Sequence, residues 1–153
     1  MAEVMIRPLL EQVVAELVFL PNHKNITFQY RINDRASWKA DPVLVRIVLR
    51  CLLSNAIVFR PGNVRGVVEI TSLRKDSLFC LDVSDDGEGI PREVGGRIFE
   101  MFFRGSPRSS GPGLGLYTAR RIMHRLGGKL TFSGVPGRTT FTMALPENPL
   151  AAS

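Results

Sequence analysis

Residues 85–90 read Asp85-Asp86-Gly87-Glu88-Gly89-Ile90 and follow an alternating run, Phe79, Leu81, Val83, whose phase Asp85 continues. In an extended strand these side chains share one face, so the pattern delivers a carboxylate to the end of an inward-pointing apolar row. Burying a charge without a partner costs on the order of several kcal/mol, so an aspartate so placed has a specific hydrogen-bond donor in the protein or in a ligand. The two glycines that follow let backbone pass close to something flat. Asp and Gly are also the ordinary residues of a strand-to-turn exit, and the remainder of the chain has to decide between the two readings.

Upstream, Leu9, Val13, Leu17 and Leu20 recur at helical spacing from Ile6 to Leu20, predicting an N-terminal helix over about 1–20 that Pro21-Asn22 ends. Ile26, Phe28, Tyr30 and Ile32 alternate with polar residues as a half-buried strand, and 37–40, with the sole tryptophan Trp38, suit a short second strand. Asp41-Pro42 starts a second helix, Asp41 capping it and Pro42 in its first turn, and Pro61-Gly62 stops it. Its apolar face includes Leu44, Val48, Cys51, Leu52 and Phe59, and Asn55 lies on that face one turn beyond Cys51. An amide there needs a partner. Residues 67–73 and 77–84 form a hairpin that leads into Asp85.

Downstream, 91–98 suit a short helix that runs into Phe99-Glu100-Met101-Phe102-Phe103-Arg104-Gly105. The Ser-, Gly- and Pro-rich stretch 106–113 has the composition of a mobile loop, so the aromatics read as a hinge beneath a lid. Gly113-Leu114-Gly115-Leu116 opens a helix closed by Gly127-Gly128. Leu130 and Phe132 mark a strand, 135–137 a turn, and Phe141, Met143 and Leu145 a last strand begun by Thr139-Thr140, with 147–153 a frayed tail. Strand pairs with helices between them predict a single α/β domain over 1–153: a two-layer α/β sandwich, its mixed, mostly antiparallel sheet of about five strands carrying about three helices on one face.

Composition narrows the chemistry. With 44% apolar and 22% charged residues and no apolar run near the ~20 residues that span a bilayer, the chain reads as a soluble domain without membrane contact. Acids at Glu3 and Glu11 and the lack of a cleavage pattern argue against a signal peptide, and Cys51 and Cys80 read as reduced thiols, so a cytoplasmic location is expected. The net charge of +6 comes from scattered basic residues without a nucleic-acid recognition signature, which argues against nucleic acid, and such a balance suits a triphosphate or an acidic partner equally well. A P-loop motif is absent, and the glycine loop is not in a strand-loop-helix unit with a ribose-binding acid. His23 and His124 stand in unrelated contexts, against a Ser-His-Asp or Cys-His arrangement. A glycine-rich loop entering a helix offers free amides and a positive dipole end, a plausible phosphate cradle.

The order of these features resembles the ATP-binding catalytic domain of sensor histidine kinases, in the superfamily of gyrase-, Hsp90- and MutL-type ATPases with the Bergerat fold. Asp41 to Phe59 (DPVLVRIVLRCLLSNAIVF) matches the N box, Val83 to Ile90 (VSDDGEGI) the G1 box, Ile98 to Arg104 (IFEMFFR) the F box, Gly111 to Leu116 (GPGLGL) the G2 box, and Arg138 to Pro146 (RTTFTMALP) the closing strand. The resemblance implies that Asp85 accepts a hydrogen bond from the adenine amino group and that Asn55 holds a Mg²⁺ that bridges the phosphates of ATP. It implies further that Gly87 and Gly89 let the loop pass the base, and that Gly113, Leu114, Gly115 and Leu116 offer amides to the phosphates. Thr139 would support the adenine site through water, with the register against Thr140 left open. The activity implied is transfer of the ATP γ-phosphate to a histidine on a separate dimerisation hairpin or partner chain, with a response regulator downstream. Neither His23 nor His124 has the setting of a phosphoacceptor.

Two positions depart from the pattern. Cys51 stands where gyrase-type enzymes carry a water-activating glutamate and many histidine kinases a polar residue, and Val58 where kinases often place a lysine. A thiol is a poor base at neutral pH, which disfavours hydrolysis by activated water. The lost lysine charge would fall to Arg60 or to the lid residue Arg104. The alternatives are a non-catalytic nucleotide-binding module and a serine kinase of the anti-sigma-factor type, against which the aromatic F box and long lid argue.

Overall fold

The computed structural model describes residues 2–20, 23–32, 37–58, 65–75, 77–87, 97–100, 115–135 and 137–146. In chain order the elements are β1 (Ala2–Met5), α1 (Ile6–Glu16), a 3-10 turn (His23–Asn25), β2 (Ile26–Arg31), β3 (Ser37–Ala40) and α2 (Pro42–Val58). β4 (Gly66–Lys75), β5 (Leu78–Asp85), α3 (Gly115–Arg125), β6 (Lys129–Val135) and β7 (Arg138–Pro146) complete them. Five strands form one mixed sheet in the order β2-β4-β5-β7-β6, with β2 and β4 parallel and every other pair antiparallel.

Alternation decides what each face of this sheet meets. Val68, Ile70, Phe79, Leu81, Val83, Phe141, Met143 and Leu145 are all buried, and they form the core with Val48, Leu49, Leu52 and Leu53 of α2 and Ala119 and Met123 of α3. The opposite phase is polar. There Arg31 pairs with Glu69 at 3.3 Å, Thr142 Oγ1 donates to Asp82 Oδ1 at 2.7 Å, and the Ser84 and Thr140 hydroxyls lie 2.8 Å apart. The expected two-layer sandwich is therefore present, with β5 at its centre.

Two features differ from the sequence expectation. Residues 2–5, read as part of the first helix, form β1, which pairs antiparallel with β3 in a separate two-stranded sheet, Val4 opposite Trp38. β1 exists because of that distant partner, and the pairing seats Trp38 against Phe79 with ring centroids 4.6 Å apart. The first helix also stops at Glu16 rather than near Leu20. Leu17 is still buried, but Val18 and Phe19 are 66% and 67% exposed, so continuing the helix would gain little burial. Glu16 instead forms ion pairs with Arg46 and Arg50, which tie the end of α1 to α2.

The ends of α2 and α3 follow from local chemistry. Asp41 caps α2 as expected, its Oδ1 accepting from the Val43 N–H at 3.0 Å. At the other end of α3, Gly128 N–H donates to Met123 O at 2.9 Å and Gly127 N–H to His124 O at 3.0 Å, with Gly127 at φ +82°. This is a Schellman closure, and the left-handed residue it requires is a glycine. His124 is exposed, and His23 opens the 3-10 turn with Nε2 3.1 Å from Val14 O.

Candidate functional site

β5 brings Asp85 to the end of the central strand, on the face covered by the helices, in register with Val68 of β4 and Thr139 of β7. The carboxylate is oriented locally: Gly87 N–H donates to Asp85 Oδ1 at 2.9 Å, an Asx turn that needs backbone to double back immediately after the strand. Asp86 closes the ladder behind it. Its Oδ1 accepts from Val67 N–H at 2.9 Å, and its N–H reaches Val67 O at 3.4 Å. Sequence reasoning gave Asp86 no role; the doubled aspartate was the only signal, and the partner, at a separation of 19 residues, is set by the β4–β5 register.

The two threonines are divided between the faces of the sheet by the same alternation. Thr139 faces inward opposite Asp85 and is 4% exposed, whereas Thr140 points to the other face and meets Ser84. Asp85 and Thr139 thus share a face at adjoining strand ends.

A second group lies where α2 meets α3. Asn55 is half-buried in the last turn of α2, with Cys51 one turn before it. Gly115 is the first residue of α3, and a β-carbon placed on it would lie 3.3 Å from Cys51 Sγ. The N-terminus of α3, whose first amides have no partner within the helix, therefore sits against the turn of α2 that precedes Asn55. Leu116 is half-buried and packs on the core. Because α2 packs on both β5 and α3, one helix backs the carboxylate strand and the helix terminus.

Burial pushes the Cys51 thiol up from 9.0 to about 12. The proton stays on sulfur at neutral pH, and this side chain cannot act as a base. Val58 is half-buried at the end of α2 and brings no charge.

Phe99 is held edge-on against Phe132 and Phe141, with centroids 6.2 and 6.3 Å away, and the Arg120 guanidinium lies 5.0 Å above its ring. Of the aromatic hinge expected from the sequence, Phe99 rests on β6, β7 and α3, while Phe102 and Phe103 lie outside the described residues. Gly89, Arg60, Arg104, Gly113 and Leu114, the lid 106–113 and the tail 147–153 lie outside the described residues, as does most of the short helix expected over 91–98. Residues 97–100 form a turn, closed by the Glu100 N–H on Arg97 O at 2.9 Å.

Among the described residues, no group of three or more His, Cys, Asp and Glu side chains converges as a metal site, and no helix is long and apolar enough to cross a membrane. The first finding bears on what a cation here would need. Mg²⁺ takes oxygen donors, keeps much of its water and borrows phosphate oxygens, so one amide oxygen from Asn55 fits such an ion without a carboxylate cage.

Comparison with known proteins agrees with this arrangement. The family model described as histidine kinase-, DNA gyrase B- and HSP90-like ATPase matches residues 40–149. The signal transduction histidine-protein kinase AfsQ2 of Streptomyces coelicolor is 35% identical over 115 residues, covering 72% of this chain and 21% of AfsQ2. The sensor protein CzcS of Cupriavidus metallidurans is 33% identical over 128 residues, 80% of this chain and 26% of CzcS, so the chain spans about a quarter of such relatives. The solved catalytic domain of histidine kinase ThkA superposes with a TM-score of 0.83 at 27% identity, covering 97% of each chain. ThkA is also known in complex with the response regulator protein TrrA, and in that structure this chain covers 42% of the matched chain, with a TM-score of 0.78 at 25% identity. With the carboxylate strand, the N-box helix and the glycine-led helix in place, and a family match over most of its length, the chain belongs to the histidine kinase-, DNA gyrase B- and HSP90-like ATPase family.

Proposed function

We propose that this chain is the ATP-binding catalytic domain of a two-component sensor histidine kinase, transferring the ATP γ-phosphate to a histidine on a dimerisation hairpin elsewhere in the protein or on a partner chain. The observation that carries the reading is Asp85, a carboxylate at the inward end of the central strand, oriented by the Gly87 amide and flanked by buried Thr139. In this role Asp85 accepts a hydrogen bond from the adenine amino group, and Thr139 supports the same edge of the base through water. Gly87 and Gly89 give the base room. The first amides of α3, with Gly113 and Leu114 before them, bind the phosphates at the positive end of the helix dipole.

Asn55 would hold Mg²⁺, which when bound neutralises charge on the phosphate oxygens. Cys51 stays protonated, so no side chain at this position draws a proton from water. That favours transfer to a nucleophile that brings its own lone pair, as a neutral histidine ring nitrogen does, with catalysis resting on in-line positioning and charge stabilisation. Arg104, in the lid, would supply positive charge where Val58 does not. A response regulator downstream belongs to the same proposal, supported by the pairing of ThkA with TrrA, and so does a cytoplasmic location, which rests on the sequence reading.

One observation favours a second reading, a nucleotide-binding module without transfer: the N-box positions Cys51 and Val58 lack polar groups that kinases often use. Mixing the domain with radiolabelled ATP and a cognate histidine-bearing hairpin separates the two. Acid-labile, base-stable phosphate on the hairpin is the expected result. ATP binding without such phosphate would establish the module instead.

A further inference from the structure

We propose that Cys51 is a positioning residue whose sulfur fits against the missing side chain of Gly115 and sets how close the N-terminus of α3 comes to the turn of α2 bearing Asn55. This rests on the nucleotide reading of the site above. Among the described residues, a β-carbon on Gly115 would meet one atom within 4 Å, Cys51 Sγ at 3.3 Å, a few tenths of an ångström inside ordinary contact. The two residues therefore form a lock of one sulfur and one vacancy.

The rest of α3 has little freedom to absorb a change there. Ala119 and Met123 are fully buried. The C-terminal closure runs into Gly128, where a β-carbon would lie 2.2 Å from Ala144 O, so β7 backbone is packed directly against it. With its body packed and its far end held, a helix crowded at residue 115 has to tilt its first turn away from α2. That turn carries the amides assigned to phosphate, and tilting it moves them away from the position governed by Asn55. Adenine, read at Asp85 on β5, does not feel the change.

The test is a four-protein cycle: wild type, Gly115→Ala, Cys51→Ala and the double variant, each titrated with Mg-ATP by calorimetry and with adenosine by ligand-observed NMR. The expected result is a loss of Mg-ATP affinity of about tenfold in Gly115→Ala, the scale of modest overpacking strain, with adenosine affinity unchanged. In the double variant, where the sulfur is gone, Mg-ATP affinity is expected to return to that of Cys51→Ala. Wild-type affinity in Gly115→Ala, a double variant as weak as Gly115→Ala alone, or a parallel loss for adenosine would each overturn the proposal. A wild type that binds neither ligand overturns the nucleotide reading along with it, whereas failure of the rescue in a protein that binds Mg-ATP overturns the lock alone.

Discussion

Asp85, Asn55 and Gly115 were each visible in the sequence because their residue types conflict with an ordinary fold position: a carboxylate ending an apolar row, an amide on an apolar face, a glycine opening a helix. Cys51 was visible as a departure, but its consequence was not, since the desolvation that raises its thiol to about 12 arises where α2 and α3 pack together. That shift has a measurable sign. A thiol whose folded value lies above the ordinary 9.0 keeps its proton in the folded state after the unfolded chain has lost it, so its stabilising contribution is complete below pH 9.0 and is lost as pH climbs toward about 12. Thermal melting from pH 8 upward should show a steeper fall for wild type than for Cys51→Ala. Tyr30, whose phenol is raised first by burial and then by nearby Glu11, is common to both proteins, so it cancels in the comparison. Equal slopes would mean that the thiol is better solvated than its position between the helices implies.

At the scale of elements, α2 and the β4–β5 hairpin were legible within a residue or two, because capping and alternation are local, whereas the end of α1 was not. β1 was not. Ala2-Glu3-Val4-Met5 is too short to show alternation, and it becomes a strand only through β3, more than thirty residues away. The parallel pairing of β2 with β4 was likewise hidden, since α2 intervenes and nothing local sets the direction. Two glycines separate local from tertiary demands. Gly137 sits at φ +79° in open space, so Gly137→Ala should cost about 1–2 kcal/mol of stability through left-handed strain alone. Gly128 instead lies against β7, where a β-carbon would fall 2.2 Å from Ala144 O and 2.4 Å from Leu145 Cδ2, so Gly128→Ala should cost about 3 kcal/mol or more. Denaturant melts of the two variants check the order, and a milder effect at Gly128 would show that β7 yields to α3.

For the molecule as a whole, a single core joins the central sheet, all three described helices and the small sheet that carries Trp38. On this frame Asp85, assigned to adenine, stands at the end of β5, and Gly115 and Leu116, assigned to phosphate, at the start of α3, with α2 packed on both elements. The proposed nucleotide site is thus a property of the assembled fold, and the part of it most open to test is the role of Asp85. Calorimetric titration of Mg-ATP into wild type and Asp85→Ala is the direct test, with fluorescence of the buried Trp38, 3% exposed, confirming that the variant is folded. The predicted result is binding by wild type and a loss of about 2–3 kcal/mol in the variant, the scale of a hydrogen bond to a charged group. A folded Asp85→Ala protein that binds Mg-ATP as tightly as wild type would contradict the account.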